Sequence, residues 1–252
     1  MNAQSEFTPN DWDFYATCYD TLLQLKPYRE LIDQVATEID TRPSDKLLDL
    51  ACGTGSLLAT LANRLQLSEL SGIDFSPSML QQAKLKVRPG RVEFRQGDVN
   101  NILPWQNDHF DKVVCVNALY TFNSPESSLR EVYRILKPGG DIILVTPKQE
   151  FENGLVLKAH AGSDKPDSYW SNSHASAERE ECLIRSAIKD ESVVKQMIYV
   201  AEHNRKIART ITFHFFTSQA LEKLFTECNF SILKMVPVYA DQCILVRARK
   251  KP

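Results

Sequence analysis

An apolar run, Leu47-Leu48-Asp49-Leu50, breaks into Ala51-Cys52-Gly53-Thr54-Gly55, and nineteen residues after Gly55 a second short run, Ser71-Gly72-Ile73, closes on Asp74. A strand ending in a glycine turn, a helix, and a second strand tipped by an acid form the opening of a βαβ unit. Gly53 and Gly55 let the chain turn sharply and let backbone N–H groups approach a ligand without interference from a Cβ. The helix expected over 56–65 points its positive end at the same turn, which favours a carboxylate or phosphate. Asp74 can accept hydrogen bonds from both hydroxyls of a ribose. Together these residues predict a pocket for an adenosine-bearing cofactor.

The remaining chain follows the same alternation. Strands are expected at 46–51, 70–74, 91–95, 110–116 and 140–146, with helices at 56–65, 77–86 and 125–136. Such alternation specifies a parallel sheet covered by helices on both faces. Val113-Val114-Cys115-Val116 and Ile142-Ile143-Leu144-Val145 are continuous apolar runs, as central strands require. Upstream, apolar residues fall at helical spacing from Trp12 to Ile39, divided into two helices at Pro27. After Thr146 the alternation stops. Lys148 to Trp170 shows no periodicity, and Ala175 to Ala208 reads as two helices broken near the N-cap cluster Asp190-Glu191-Ser192. Thr217 then caps a helix over 218–228, and strands are expected from Phe230 to Pro237 and from Gln242 to Ala248.

Which cofactor the pocket holds turns on two positions. A nicotinamide fingerprint needs a third glycine where this chain has Leu58. Asp49, four residues before Gly53, would repel a pyrophosphate and welcome a cation. S-adenosylmethionine carries an ammonium and a sulfonium and no phosphate.

Asp49-Leu50-Ala51-Cys52-Gly53-Thr54-Gly55 resembles the first motif of the S-adenosylmethionine-dependent class I methyltransferases of small-molecule type, with Ala51 in place of the first glycine. Three further stretches resemble that family in the same order. Arg95-Gln96-Gly97-Asp98-Val99 matches the loop after strand three, Phe110 to Tyr120 matches strand four and its exit, and Leu129 to Gly140 matches the helix and turn before strand five. The resemblance implies an α/β fold: a Rossmann-like, seven-stranded, mostly parallel sheet with an antiparallel final pair, helices on both faces, and a helical insertion between strands five and six. The implied organisation is N-terminal lid helices over 1–41, a cofactor-binding core over 42–147, an insertion over 148–210 covering the substrate site, and the rest of the core sheet over 211–252.

The same resemblance assigns residues to the cofactor. Ala51, Cys52 and Gly53 contact its methionine part, with Asp49 beneath orienting the ammonium. Asp74 takes the ribose hydroxyls. Asp98 accepts from the adenine amino group with the Val99 backbone beside it, and Phe75 packs on the adenine face. Asn117 faces the methyl donor. Trp12 to Asp20 resembles the lid helix of such enzymes, and Tyr19, four residues after Tyr15 on one helix face, is a contact over the cofactor. The implied activity is methyl transfer to an O, N or C atom of a small organic molecule. Quinone C-methylation is one version suggested by the Tyr19-Asp20 pair, and a lipid-like acceptor another. A catalytically silent S-adenosylmethionine-binding or regulatory protein is the alternative, and an NAD-dependent oxidoreductase ranks behind both.

Methyl transfer asks the protein for alignment, exclusion of water and the handling of one proton. The candidates for that proton are His214, His174 and Tyr19, without a single base being assigned. His160 and His203 also fall in the insertion, while His109 is expected to be exposed on the far side of the sheet. Tyr120, Tyr169, Trp170, Tyr199 and Arg209 are further pocket-lining candidates.

Composition bounds the rest. A net charge of −2 argues against a nucleic-acid partner, whose phosphates call for a basic surface. No apolar stretch approaches the ~20 residues that cross a bilayer, and the polar N-terminus has no signal-peptide core. The six cysteines are scattered without a C-x-x-C pair, so they read as reduced, mostly buried thiols with no metal site. A cytoplasmic protein acting on a small molecule is the expectation, with oligomeric state open.

Overall fold

In the computed structural model, which describes residues 15–171 and 176–251, the run before the glycine turn forms β1 (Lys46–Leu50). It lies inside a seven-stranded sheet with β2 (Glu69–Asp74), β3 (Glu93–Gln96), β4 (Phe110–Val116), β5 (Leu136–Pro147), β6 (Phe230–Val238) and β7 (Cys243–Lys250). The order is β3-β2-β1-β4-β5-β7-β6. The first five strands pair parallel, and β7 runs antiparallel to both β5 and β6. Strand order therefore reverses between β1 and β4, the place where a doubly wound sheet opens a crevice at the carboxyl ends of its strands. This is the Rossmann-like, mostly parallel sheet expected.

Alternate residues of each strand serve different layers, because successive Cβ atoms point to opposite faces. Leu47, Val114 and Ile143 pack with Leu31 and Val35 of α1 (Lys26–Glu38) and with Leu57 and Leu61 of α2 (Ser56–Arg64). Leu48, Val113 and Ile142 pack instead with Leu129 and Val132 of α4 (Pro125–Ile135) and Phe225 of α9 (Ser218–Glu227). The remaining crossover helix, α3 (Pro77–Leu85), is capped by Ser76, whose hydroxyl accepts from the Met79 N–H at 3.1 Å. Period two places Asp49 on the face of Leu47, beneath the layer that holds α2.

Between β5 and α9 lie α5 (Asn153–Ala161), α6 (Asp167–Trp170), α7 (Ala177–Ala187) and α8 (Glu191–Thr210). Two of these, α5 and α6, lie in the stretch from Lys148 to Trp170, where the sequence shows no periodicity. Tertiary packing makes α5: Val156 and Leu157 are buried in the α1 core, and an added Cβ at Gly154 would meet the Trp170 carbonyl oxygen. The sequence of α5, with asparagine and glycine in its first turn, gives little local signal. The helix break at Asp190 falls where expected, its carboxylate accepting from the Ser192 and Val193 N–H groups. Strand β5 starts at Leu136, earlier than the expected 140, because Leu136 pairs with Phe110 across an irregularity in the β4–β5 register.

At the N-terminal end, residues 15–19 are helical and continue as a 3-10 helix over Asp20–Gln24. The break before α1 falls at Leu25, with Pro27 inside the first turn of α1, where its missing N–H costs nothing. Trp12, Asp13 and Phe14 of the expected lid, and His174 of the insertion, lie outside the described residues.

Candidate functional site

The chain leaves β1 through three residues in the left-handed region: Ala51 (φ 57°), Gly53 (φ 53°) and Gly55 (φ 71°). The two glycines do different work. A Cβ on Gly55 would lie 2.8 Å from the Cβ of Ala83, so this glycine lets the loop pack against α3. A Cβ on Gly53 would meet nothing within 4 Å and would project into open space. Gly55 caps α2 without any side-chain acceptor for its first-turn N–H groups.

Asp74, at the tip of β2, is 9 % exposed and grips this loop: Oδ2 accepts from the Gly53 N–H at 2.8 Å and Oδ1 from the Ser76 N–H at 3.0 Å. Burial raises its pKa, and these backbone donors together with that of Phe75 oppose the shift. Asp49 is 3 % exposed, and its carboxylate makes no hydrogen bond or ion pair among the described residues. Burial, and then the nearby Asp74, push its pKa well above the usual carboxylate value. Two buried carboxylates at the glycine loop, with no lysine or arginine among the described residues paired to either, form a site that a cationic ligand would stabilise.

The loop opens into a cavity of about 990 Å³ over the carboxyl ends of the strands. Of the sequence-predicted residues, Tyr19, Ala51, Gly53, Asp74, Phe75, Asp98, Val99, Asn117 and His214 line it. Asp49 sits behind the lining, and Cys52 turns its sulfur towards Gly72 of β2, where an added Cβ would lie 2.9 Å from it. Asp98 is also an Asx-turn residue, its Oδ1 accepting from the N–H and side-chain amide of Asn100, both at 2.9 Å. Asn117 leaves β4 at φ 52°, a left-handed conformation that asparagine tolerates better than most residues. Tyr19 has its pKa raised first by burial and then by the neighbouring Tyr28 phenol.

Other candidates fall elsewhere. His109 is half-buried rather than exposed, held by Glu69 at 3.0 Å at the opposite end of the sheet. His160 accepts from the Lys26 N–H at 3.2 Å, and His203 is buried between the rings of Tyr15 and Tyr199. Arg209 is exposed, Trp170 is in the core, and neither they nor Tyr169 and Tyr199 line the cavity, whereas Tyr120 does.

The wall facing the glycine loop is aromatic. Tyr15, Tyr19, Tyr28, Tyr120 and Tyr239 contribute five phenol rings, and Phe213 and Phe215 both pack on Tyr120. Tyr239 begins a turn of three left-handed residues, with Ala240 and Asp241, between β6 and β7. Asn204, whose Oδ1 accepts from the Tyr15 hydroxyl at 2.7 Å, and Arg205, paired with Glu180, come from α8. Sequence reading missed these two. The signal was an asparagine on the face shared by Ala201 and Ala208, three and four residues away. Among the described residues no group of three metal-ligating side chains gathers, and no helix is long and apolar enough to cross a membrane.

Comparison with known proteins agrees with this fold. A family model described as a methyltransferase domain matches residues 48–144. The demethylmenaquinone methyltransferase of Leptospira interrogans is 31% identical over 137 residues, 52% of this chain and 51% of that protein. A Bacillus subtilis protein named as the methyltransferase YqeM is 27% identical over 90% of this chain and 89% of its own. A chain of the solved complex between the Haloferax volcanii Trm112 activator and a methyltransferase superposes with a TM-score of 0.66, at 16% identity, covering 96% of this chain and 98% of that one. Residues 48–144 thus match a methyltransferase domain, and the chain is similar to S-adenosylmethionine-dependent methyltransferases, whose cosubstrate is S-adenosylmethionine. The match to the Leptospira protein spans about half of that relative's length. The partnerless Asp49, the open space at Gly53 and the carboxylate of Asp74 suit that cosubstrate.

Proposed function

We propose that this protein methylates a neutral, flat, largely apolar small molecule at a hydroxyl or an activated ring carbon. One observation carries the reading: the cavity joins the glycine loop and its two buried carboxylates to a wall of tyrosine and phenylalanine rings. The single Lys or Arg among the described lining residues, Arg205, is paired with Glu180. A phosphate or carboxylate on the acceptor would have no cation to meet, whereas aromatic faces suit a ring. The relative named for demethylmenaquinone supports an acceptor of that kind.

When bound, S-adenosylmethionine supplies a methyl group on a sulfonium, ready for in-line displacement by an acceptor lone pair. The residues of the chain divide the remaining tasks. Asp49 offsets the ammonium, Asp74 holds the ribose hydroxyls, and Gly53 keeps the methionine end clear. Asp98 and Val99 flank the adenine, with Phe75 on its face. Ala51 and Asn117 border the methyl-bearing end, and Tyr15 and Tyr19 exclude water. His214, which lines the cavity, takes the acceptor proton on an imidazole nitrogen in this reading.

Incubation with a deuterated-methyl cosubstrate and a panel of phenols, hydroquinones, amines and their phosphorylated or carboxylated analogues tests the reading. Mass spectrometry should find methylated product from neutral rings and none from the anionic analogues. Tight cofactor binding without product from any acceptor would point to a silent binding protein instead.

Two expected results concern the carboxylates. Asp74→Ala should weaken binding of S-adenosylhomocysteine by about 1.5–3 kcal/mol, since it removes hydrogen bonds to a charged group. An unchanged dissociation constant by calorimetry would refute the ribose assignment. Asp49 adds a pH dependence whose sign follows from its raised pKa. Burial costs the folded protein when this carboxyl ionises, so its contribution to unliganded stability declines as pH rises through that pKa. A cationic ligand binds the ionised form, so affinity should rise with pH over the same interval. Asp49→Asn should weaken binding about ten-fold, flatten that profile and leave the unliganded fold about 1 kcal/mol more stable. Affinity that stays as pH-dependent as in the wild type would remove Asp49 from the ammonium.

A further inference from the structure

The N-terminal helical segment forms one wall of the cavity through Tyr15, Tyr19 and Leu22. What holds it there is uneven. Tyr15 reaches α8 through its hydrogen bond to Asn204 and its stacking on His203, with ring centroids 5.0 Å apart. Asp20, the residue after Tyr19, turns the other way. Its Oδ1 accepts from Thr54 Oγ1 at 2.6 Å and from Lys86 Nζ at 2.6 Å, with Ser56 Oγ at 3.5 Å. Lys86 also donates to Ser56 Oγ at 3.1 Å.

Thr54 is the residue between Gly53 and Gly55, and it is 1 % exposed. The glycine loop is therefore clasped from two sides: from the sheet by Asp74 at the Gly53 N–H, and from the lid by Asp20 at the Thr54 hydroxyl. Lys86, at the end of α3, completes the junction as the counter-charge. Burial pulls its pKa down, and Asp20 opposes the shift. If Asp20 let go, a half-buried ammonium would remain beside the very loop that awaits a cationic ligand.

We propose that Asp20 is a positioning residue that latches the N-terminal helix to the glycine loop through Thr54 and Lys86, so that closing the lid and ordering the cofactor cradle are one event. The proposal rests on the cofactor reading above and deepens it. Asp20 itself does not line the cavity, so its effect passes through Thr54 and the loop. The hydrogen bonds are charge-assisted, and losing them should cost about ten-fold in affinity.

The test compares wild type, Asp20→Asn, Lys86→Met and the double variant by calorimetry with S-adenosylhomocysteine, and by hydrogen exchange over residues 15–24 and 51–56. In the wild type, ligand should slow exchange in both segments together. In Asp20→Asn the dissociation constant should rise about ten-fold, and protection should appear at 51–56 without 15–24. Removing Lys86 in that background should restore part of the affinity, because the stranded charge goes with it. A structural role alone would loosen 15–24 without uncoupling it from the loop. A dissociation constant within two-fold of wild type in Asp20→Asn, or strictly additive losses in the double variant, would overturn the latch. Absence of S-adenosylhomocysteine binding by the wild type would instead overturn the cofactor reading, so the two failures are distinct.

Discussion

Gly53→Val is expected to eliminate measurable binding of S-adenosylhomocysteine, a loss of more than about a hundred-fold in affinity. Two effects combine. Gly53 has φ 53°, and forcing a β-branched residue into that region costs about 1–2 kcal/mol. The added side chain also points into open space, the room the proposal gives to the methionine end of the cofactor. The neighbouring glycine provides the control. Gly55→Ala places a methyl 2.8 Å from the Cβ of Ala83, so its damage should register first as a lower melting temperature. Calorimetry and thermal denaturation on both variants separate a cradle from a packing contact. Retained affinity in Gly53→Val, in a folded protein, would mean that the loop does not hold the ligand.

The second large effect is expected at His214. Its N–H is fixed by the Tyr120 carbonyl at 2.7 Å, and its imidazole lines the cavity without a hydrogen bond among the described residues. Phe213 and Phe215 on either side are braced by Tyr120. A positioned general base contributes about a hundred-fold or more to a step that removes a proton. With a hydroxyl acceptor, His214→Gln should therefore lower kcat about a hundred-fold and leave the dissociation constant of S-adenosylhomocysteine within about two-fold. Equal kcat values would take His214 out of the proton path.

What the sequence made legible was local. The glycine turn, Asp74 and the alternating apolar runs are set by spacing within a few tens of residues, and the resemblance to a known family extends over that stretch. The cap at Asp190 was legible for the same reason, whereas the antiparallel pairing of the final strands followed from the resemblance alone. The acceptor side was not, because it is assembled from contacts without a sequence period. Helix α5 exists through the fit of Gly154 against Trp170, and Asn204 meets Tyr15 from 189 residues away. Asp20 illustrates both cases. The Tyr19-Asp20 pair stood out as a lid pattern, yet its partners Thr54 and Lys86 emerge only when three segments meet. Asp98 shows that rival readings can coexist, since one carboxylate closes a turn and borders the cavity.

The lining begins at Tyr15 and runs to Tyr239, more than two hundred residues later. A growing chain that has completed the glycine motif still lacks Phe213, Phe215 and Tyr239, the last members of the aromatic wall. Completion of the cavity wall is thereby deferred until the chain has been made as far as Tyr239. A nascent or proteolytically shortened product would carry the motif as an open groove, where a reactive sulfonium could not be shielded from water.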